Sequence, residues 1–135
     1  MSLIVRTGID IVHIPRVQRL LATYADRFIQ RVFTPHEIAT CNGRVSAFAA
    51  RWAAKEAVAK LLGVGIAGLG GGADAVRFHD IEIIRLPNGK PHVSLHGRAH
   101  ESAQAQSLVT FDISLSHDGE YAVASAVAIG QVPAE

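Results

Sequence analysis

The 135-residue chain has 49% hydrophobic and 19% charged residues, a composition typical of one globular domain with a single core. Its 13 basic and 12 acidic residues leave a formal charge of +1, which argues against nucleic acid or an acidic membrane surface as its partner. The one cysteine excludes an internal disulfide, and the N-terminus lacks an apolar run of the roughly 20 residues that span a bilayer, so we expect a single cytoplasmic domain over residues 1–135.

The chain begins with a predicted strand that carries one unexpected charge. Residues 3–14 are rich in Ile and Val and predict a strand, in which Asp10 lies between Ile9 and Ile11. A carboxylate in such a neighbourhood needs a partner, because burying an unpaired charge costs free energy. Asp10 is therefore either a backbone-capping residue at a strand end or one ligand of a cation.

Two helices are predicted next. Pro15 suits the first turn of a helix, which apolar side chains at three- and four-residue spacings extend to about residue 33. Thr34 and Glu37 form a capping box with proline between them, which starts a short helix that ends near Cys41.

An alanine-rich stretch predicts the longest helix, with Ser46 as its cap and Gly63 closing its end in a left-handed conformation. Glu56 and Lys60 lie one turn apart on nearly the same face of this helix, whereas Lys55 points about 100° away. The Glu56–Lys60 pair is either an exposed ion pair, worth about 0.3–0.5 kcal/mol, or part of a metal and phosphate site. Lys55 is interpreted as a further phosphate contact or a surface charge.

Six of the twelve glycines lie in residues 63–75, which predicts a mobile loop rather than a packed element. Its free N–H groups could cradle a phosphate, but the run matches neither the P-loop nor the Rossmann pattern. Four strands and one helix are predicted beyond this loop, at residues 76–86 (strand), 90–97 (strand, after an Asn88-Gly89 turn), 98–107 (helix), 111–118 (strand) and 120–129 (strand).

This order of elements lacks a regular βαβ alternation, so it predicts an α+β domain with a largely antiparallel sheet packed against the long central helix. Ser114 and Ser116 share one face of their strand, and His117 is predicted at its end, where site residues are common. The histidine either contacts a phosphate, accepts a proton near neutral pH or is an ordinary surface residue.

Four stretches carry a resemblance when they are taken in order: GIDIVHIPR, RWAAKEAVAKLLGVG, DIEI with NGKP, and ISLSHDGEYAVA. Together they resemble the holo-acyl-carrier-protein synthase family, the small single-domain class of 4′-phosphopantetheinyl transferases. The similarity spans residues 8 to about 127, and its most specific part is G-I-D near the start with R-W-A-A-K-E-A some 40 residues later.

The resemblance implies a reaction and a metal. The 4′-phosphopantetheine group of coenzyme A would pass to a serine of apo-acyl carrier protein in fatty-acid biosynthesis, with release of adenosine 3′,5′-bisphosphate. Asp10 and Glu56 match the family's Mg²⁺ ligands, and Lys60 would lie beside the diphosphate, where a cation neutralises developing charge. The proton acceptor is predicted to be a metal-bound water or Glu56 first, and His117 second.

The resemblance also implies contacts with both substrates. Arg51, Gly65, Ser116 and His117 match positions that contact coenzyme A in similar proteins, and Arg16 would face the acidic carrier protein. Similar small enzymes form homotrimers with sites between subunits, so a homotrimer is implied here. Two alternatives stay open: a Mg²⁺-dependent pyrophosphohydrolase of a coenzyme-like diphosphate, and a carrier-protein-binding or nucleotide-binding module without transfer activity.

Overall fold

The computed structural model describes residues 1–133. Five helices and five strands were found in this part of the chain, in the order β1 (Ser2–His13), α1 (Ile14–Tyr24), α2 (Asp26–Val32), α3 (Pro35–Cys41), α4 (Val45–Leu62), β2 (Ile81–Arg85), β3 (Pro91–Leu95), α5 (Gly97–Ala105), β4 (Leu108–Asp118) and β5 (Tyr121–Val132). A single 3₁₀ turn, Phe78–Asp80, leads into β2.

The strands form two antiparallel sheets, one of three strands in the order β1-β5-β4 and one formed by the β2-β3 hairpin. Helix α4 packs across one face of the larger sheet and contacts all three of its strands. The interface is largely alanine on alanine, because both α4 and the α4-facing side of β5 present small, buried side chains: Ala53, Ala54, Ala57, Ala122, Ala124, Ala126 and Ala128. The predicted α+β class and the central helix are confirmed.

Gly8 of β1 lies where α4 approaches the sheet most closely. A Cβ at this position would overlap the carbonyl oxygen of Ala57 and lie 2.9 Å from the amide nitrogen of Leu61. The strand and the helix can be this close only because residue 8 has no side chain.

We therefore expect Gly8→Ala to lower the free energy of unfolding by about 3 kcal/mol, because backbone on both sides must move apart. Urea unfolding followed by circular dichroism measures the change. Gly72→Ala is the matched control, since a Cβ there meets nothing within 4 Å. Equal stabilities for the two variants would contradict the expected close approach.

Two helix predictions need correction. The helix predicted from Pro15 to about residue 33 is divided at Ala25, whose φ of 47° ends α1 and whose N–H donates to Leu21 O. The break redirects α2 so that Phe28 stacks on Trp52, with ring centroids 5.2 Å apart. Ser46 is not the cap of α4, because the helix already begins at Val45 and has no side-chain cap. The capping box of α3 and the closure of α4 at Gly63 are confirmed.

The region between α4 and β2 is also packed more closely than predicted. Ile66 pairs with Val76 in an isolated parallel bridge, and both side chains are buried, so the glycine-rich run is in part a packed segment. The strand predicted from residue 76 begins only at Ile81, because the Asp80 carboxylate accepts the Arg77 N–H at 3.0 Å and holds the 3₁₀ turn.

Candidate active site

Asp10, Glu56 and Lys60 come together at the β1 edge of the larger sheet. Lys60 Nζ donates to Asp10 Oδ1 at 2.8 Å and to the carbonyl oxygen of Ile9 at 3.2 Å. Asp10 is on the α4-facing side of β1, like Gly8, so its carboxyl group points towards Glu56 rather than into solvent. The cluster consists of two carboxyl groups and one ammonium group.

The second oxygen of Asp10 has no partner. Oδ2 is buried and no hydrogen-bond donor from residues 1–133 reaches it. Burial raises the pKa of Glu56 to about 7, and the neighbouring Asp10 carboxyl group acts in the same direction. Two partly buried carboxylates side by side are unfavourable unless a proton or a cation lies between them. Glu56 also lines a cavity of about 230 Å³, which Arg16 and Trp52 share.

A cationic pocket of about 570 Å³ lies at the other edge of the sheet, beside β4. It is formed by the first turns of α4, the β2-β3 turn and the end of β4, and its lining residues include five basic side chains and no carboxylate. The basic residues are Arg44, Arg51, Arg85, Lys90 and His117. Cationic side chains together with a helix N-terminus are typical of a site for a phosphorylated ligand.

Arg51 contributes a buried, incompletely paired group to this pocket. It is 9% exposed, its Nη1 donates to Ala47 O at 3.3 Å, and no acceptor from the described residues reaches Nε. Ser116 lines the same pocket, and His117 lies at the end of β4 as predicted, one residue before its last. The structure therefore brings together Arg51, Ser116 and His117, as expected for three groups that contact one ligand.

The two clusters do not meet within this chain. Arg51 and Glu56 are five residues apart on α4, which separates them by about 7.5 Å along the helix axis and about 140° around it. Arg51 accordingly faces β4 and Glu56 faces β1, at opposite edges of a three-stranded sheet. A ligand that contacts both clusters needs either a long reach or a second protomer.

The family model described as the 4′-phosphopantetheinyl transferase superfamily matches residues 6–126. The chain belongs to this family. Within it, a holo-[acyl-carrier-protein] synthase of Roseiflexus castenholzii is 54% identical over 110 residues, which cover 82% of this chain and 79% of that protein. The corresponding synthase of Herpetosiphon aurantiacus is 41% identical over 124 residues, which cover 92% and 98% of the two chains.

Solved structures of the family have the same fold. The Helicobacter pylori holo-[acyl-carrier-protein] synthase, crystallised in complex with coenzyme A, superposes with a TM-score of 0.76 at 31% identity. The match covers 90% of this chain and 98% of the Helicobacter chain. The predicted holo-acyl-carrier-protein synthase family, with its enzyme class and its fold, is thereby confirmed.

Two family positions lie outside the cationic pocket. Gly65 follows the end of α4, where a Cβ would lie 2.7 Å from Gly71 Cα, so the residue allows two loop segments to pack closely. It does not line the cationic pocket. Arg16 lies on α1, with its guanidinium carbon 5.9 Å from the centroid of the Trp52 ring. It is therefore next to the cavity of Glu56 and away from the basic residues beside β4.

The interpretation of Lys55 as a phosphate contact or a surface charge is wrong. Its side chain is 0% exposed and its ammonium group is 2.8 Å from a carboxylate oxygen of Glu37, which is also 0% exposed. The pair lies in the core between α3 and α4. Position on the helix predicted that Lys55 points away from Glu56, but it did not predict a buried partner 18 residues earlier in the chain.

Sequence reasoning missed three of the basic residues in the cationic pocket, Arg44, Arg85 and Lys90. Arg85 and Lys90 flank the hairpin turn, whose Asn-Gly-Lys-Pro motif was the only signal for them. Their approach to the start of α4 depends on how the hairpin packs against the helix, which no local pattern reports. Asp112 accepts from Lys90 Nζ at 3.1 Å and partly neutralises it.

Residues 1–133 hold neither a ready-made metal site nor a membrane-spanning helix. Residues 1–133 contain no group of three or more His, Cys, Asp or Glu side chains arranged to hold a metal ion. The protein therefore offers two carboxylates at most at the β1 edge, and a cation there needs its other ligands from water or substrate. No helix in this part of the chain is long and apolar enough to cross a membrane.

Proposed function

We propose that the protein transfers the 4′-phosphopantetheine group of coenzyme A to a serine of apo-acyl carrier protein in fatty-acid biosynthesis. The observation that carries this proposal is the buried, unpaired Oδ2 of Asp10 beside Glu56, in a chain of this enzyme family. Lys60 pairs with Oδ1 only, so the buried Oδ2 next to a second carboxyl group is a cost to the fold that a bound cation would offset. The relatives named above carry the name of this activity.

The residues present fit Mg²⁺. Asp10 and Glu56 would hold the ion, because paired carboxylates are a typical protein contribution and the remaining ligands come from water and phosphate oxygens. Bound there, the ion supplies Lewis-acid stabilisation of the diphosphate and orients it. The Asp10 carboxylate raises the pKa of Lys60, so this residue remains an ammonium group that can neutralise charge developing on the departing adenosine 3′,5′-bisphosphate.

The proposed step is an in-line phosphoryl transfer. The serine Oγ of the carrier protein forms a bond to the phosphorus next to pantetheine, while the P–O bond to adenosine 3′,5′-bisphosphate breaks and the serine proton leaves. Glu56 is the better placed candidate for holding that proton, because it lines the cavity next to Arg16. His117 lines the cationic pocket instead, where a role in binding phosphate is favoured.

Coenzyme A is the proposed ligand of the cationic pocket. Its three phosphate groups match a pocket with five basic side chains. Of the two arginines at the start of α4, Arg51 is buried and Arg44 is exposed. A charge-assisted hydrogen bond from a mostly buried guanidinium is stronger than one at the surface.

Arg51→Ala is expected to raise the KM for coenzyme A by at least about 10-fold, since a charge-assisted contact is lost. The KM for the carrier protein should stay the same. Steady-state kinetics with each substrate varied in turn gives both values. Arg6→Ala is a matched control, because Arg6 is exposed and its guanidinium donates to the neighbouring Val5 carbonyl, outside the cationic pocket. An unchanged KM for coenzyme A in Arg51→Ala would rule out this contact.

The carrier protein is proposed to dock near Arg16, on the side of Glu56. A second cavity of about 330 Å³ next to Arg16 is also lined by Arg27 and Arg31. Three guanidinium groups around an apolar cavity favour an acidic partner, and the association should weaken as salt is added.

A homotrimer with sites between subunits is proposed as the assembly. The face of the larger sheet opposite α4 is open and apolar, with Leu3 70%, Val5 57% and Ile9 63% exposed. Apolar patches of this kind are typical of interfaces. Contact through this face would also explain why the two charged clusters of one protomer lie at opposite edges of the sheet. The carboxylate cluster of one protomer could then form a complete site with the cationic pocket of its neighbour.

Intact-mass spectrometry tests the proposed function directly. Protein, coenzyme A and Mg²⁺ are incubated with an apo-acyl carrier protein, and the carrier should gain about 340 Da, the mass of phosphopantetheine. Cleavage of coenzyme A with an unmodified carrier would show a pyrophosphohydrolase instead. Coenzyme A binding without any turnover, at every Mg²⁺ concentration and with several carriers, would show a binding module. The cytoplasmic location remains a prediction.

A further inference from the structure

A fully buried ion pair joins four elements of the fold. Lys55 Nζ of α4 is 2.8 Å from Glu37 Oε1 of α3, and it also donates to Phe78 O at 2.9 Å and to Ile81 O at 2.7 Å. These last two carbonyls belong to the 3₁₀ turn and to the start of β2. The three hydrogens of the ammonium group therefore have one acceptor each.

Both oxygens of the Glu37 carboxylate also accept backbone hydrogen bonds. Glu37 Oε1 also accepts the Thr34 N–H at 2.8 Å, which completes the capping box of α3, and Oε2 accepts the Ile83 N–H at 2.8 Å. Apart from the Thr34 cap, each contact lies between elements that are far apart in sequence, so the full network forms only when α3, α4 and β2 are in their final places. A network with every polar atom satisfied is rigid and tolerates little displacement.

The contact of α4 with β5 does less to fix the position of the helix than its other contacts, where Phe48 and Trp52 pack against aromatic side chains. Against β5, α4 presents methyl groups to other methyl groups, which interlock less than large side chains do. A buried polar pair is the best-attested device for setting the register of such a helix, because any slip leaves a charge unpaired. The Lys55–Glu37 pair meets this description.

The position of α4 matters because this helix carries residues of both charged clusters. Glu56 follows Lys55 directly, and Arg51 lies four residues before it, one turn along the helix. A displacement of about 1 Å in a catalytic group can lower a rate about 100-fold. Asp10, by contrast, belongs to β1, so its distance from Glu56 depends on where α4 sits on the sheet.

We propose that Glu37 and Lys55 are positioning residues, which set the register of α4 so that Glu56 faces Asp10. This inference rests on the proposed function, since Glu56 is taken there as a cation ligand. It assigns to the pair a role in the reaction beyond stability, although neither side chain can reach a substrate. The pair acts through α4 alone.

Three variants separate positioning from stability. Glu37→Asp keeps both charges but draws the carboxylate back by one methylene group, and Glu37→Gln/Lys55→Met removes both charges while the amide can still accept a backbone N–H. Val58→Ala is the matched control, a buried α4 residue outside the ion pair, which lowers stability by cavity formation. Circular dichroism gives the folded fraction of each variant, and all rates are expressed per folded molecule.

We expect Glu37→Asp and the double variant to lower kcat at least 10-fold and to weaken Mn²⁺ binding to the substrate-free protein, measured by electron paramagnetic resonance, by a similar factor. The KM for the carrier protein should not change, because Arg16 is on α1. Val58→Ala should keep the kcat and Mn²⁺ affinity of the wild type even where its melting temperature is lower.

A wild-type kcat and Mn²⁺ affinity in Glu37→Asp would overturn the inference, as would equal losses in Val58→Ala. If the double variant does not fold, Glu37→Asp decides the question alone. If the wild-type protein binds Mn²⁺ but transfers nothing to the carrier, the proposed function is wrong, and the Mn²⁺ affinities of the variants still test whether the pair positions Glu56.

Discussion

Glu56→Gln should lower kcat for phosphopantetheine transfer by about 1,000-fold, the scale of loss when one group that stabilises transition-state charge is removed. Glutamine has the size of glutamate but lacks the charge that holds a cation beside Asp10. The fold should be unharmed or slightly more stable, because burial already raises the pKa of Glu56 and the substitution removes a buried charge next to another carboxyl group. Intact-mass assays of the carrier over time give the rate.

The matched control for this prediction is Glu101→Gln, which makes the same chemical change at an exposed position on α5. Its rate should equal that of the wild type. Thermal unfolding of both variants separates loss of function from loss of structure. If Glu56→Gln retained the wild-type rate, the carboxylate pair would not be a cation site and the main support for the proposed function would be lost.

Val5→Glu/Val127→Glu should dissociate the proposed trimer and lower activity at least about 100-fold. Both residues belong to the sheet face opposite α4, and Val127 lines a groove of about 740 Å³ on that face. In a symmetric assembly each substitution is repeated in every copy, so several carboxylates would be buried without partners. Activity should fall together with assembly, because the cationic pocket and the carboxylate pair of one protomer lie at opposite edges of its sheet and would no longer meet.

Sedimentation velocity measures the assembly, and circular dichroism checks that each protomer is folded. Leu69→Glu is the control for association, since Leu69 is also exposed and apolar but lies in the glycine-rich loop. A Val5→Glu/Val127→Glu protein that is monomeric and fully active would show that one protomer contains the complete site. A variant that stays trimeric would place the interface elsewhere.

The chemistry-bearing residues at the β1 edge were largely predictable. Asp10 was conspicuous because a charge between isoleucines on a strand is costly, and Glu56 and Lys60 because of their helical spacing. Their convergence is observed, with Lys60 and Asp10 2.8 Å apart. The resemblance added Arg51, Ser116 and His117, which line one pocket. Their roles in binding coenzyme A remain proposals.

Other features could not be read from local patterns. The residues around Lys55 are those expected around a surface lysine on an alanine-rich helix. It is nevertheless buried, because α3 supplies Glu37, and the 3₁₀ turn and β2 each supply a carbonyl oxygen. Ala25 breaks the first predicted helix although alanine is a strong helix former. In both cases packing between distant elements outweighs a local preference.

The amino-acid sequence by itself determined the α+β class, the capping box of α3, the long alanine-rich helix with its glycine end, and the family. These follow from side-chain periodicity, from hydrogen bonds between residues close in the chain, and from motifs of fixed spacing. Only the tertiary structure decided that Lys55 is a core residue and that the charged groups form two clusters at opposite edges of one sheet. The reason is physical: burial, pairing and the direction in which α4 presents Arg51 and Glu56 depend on contacts between residues far apart in the chain, which exist only once the elements have packed together.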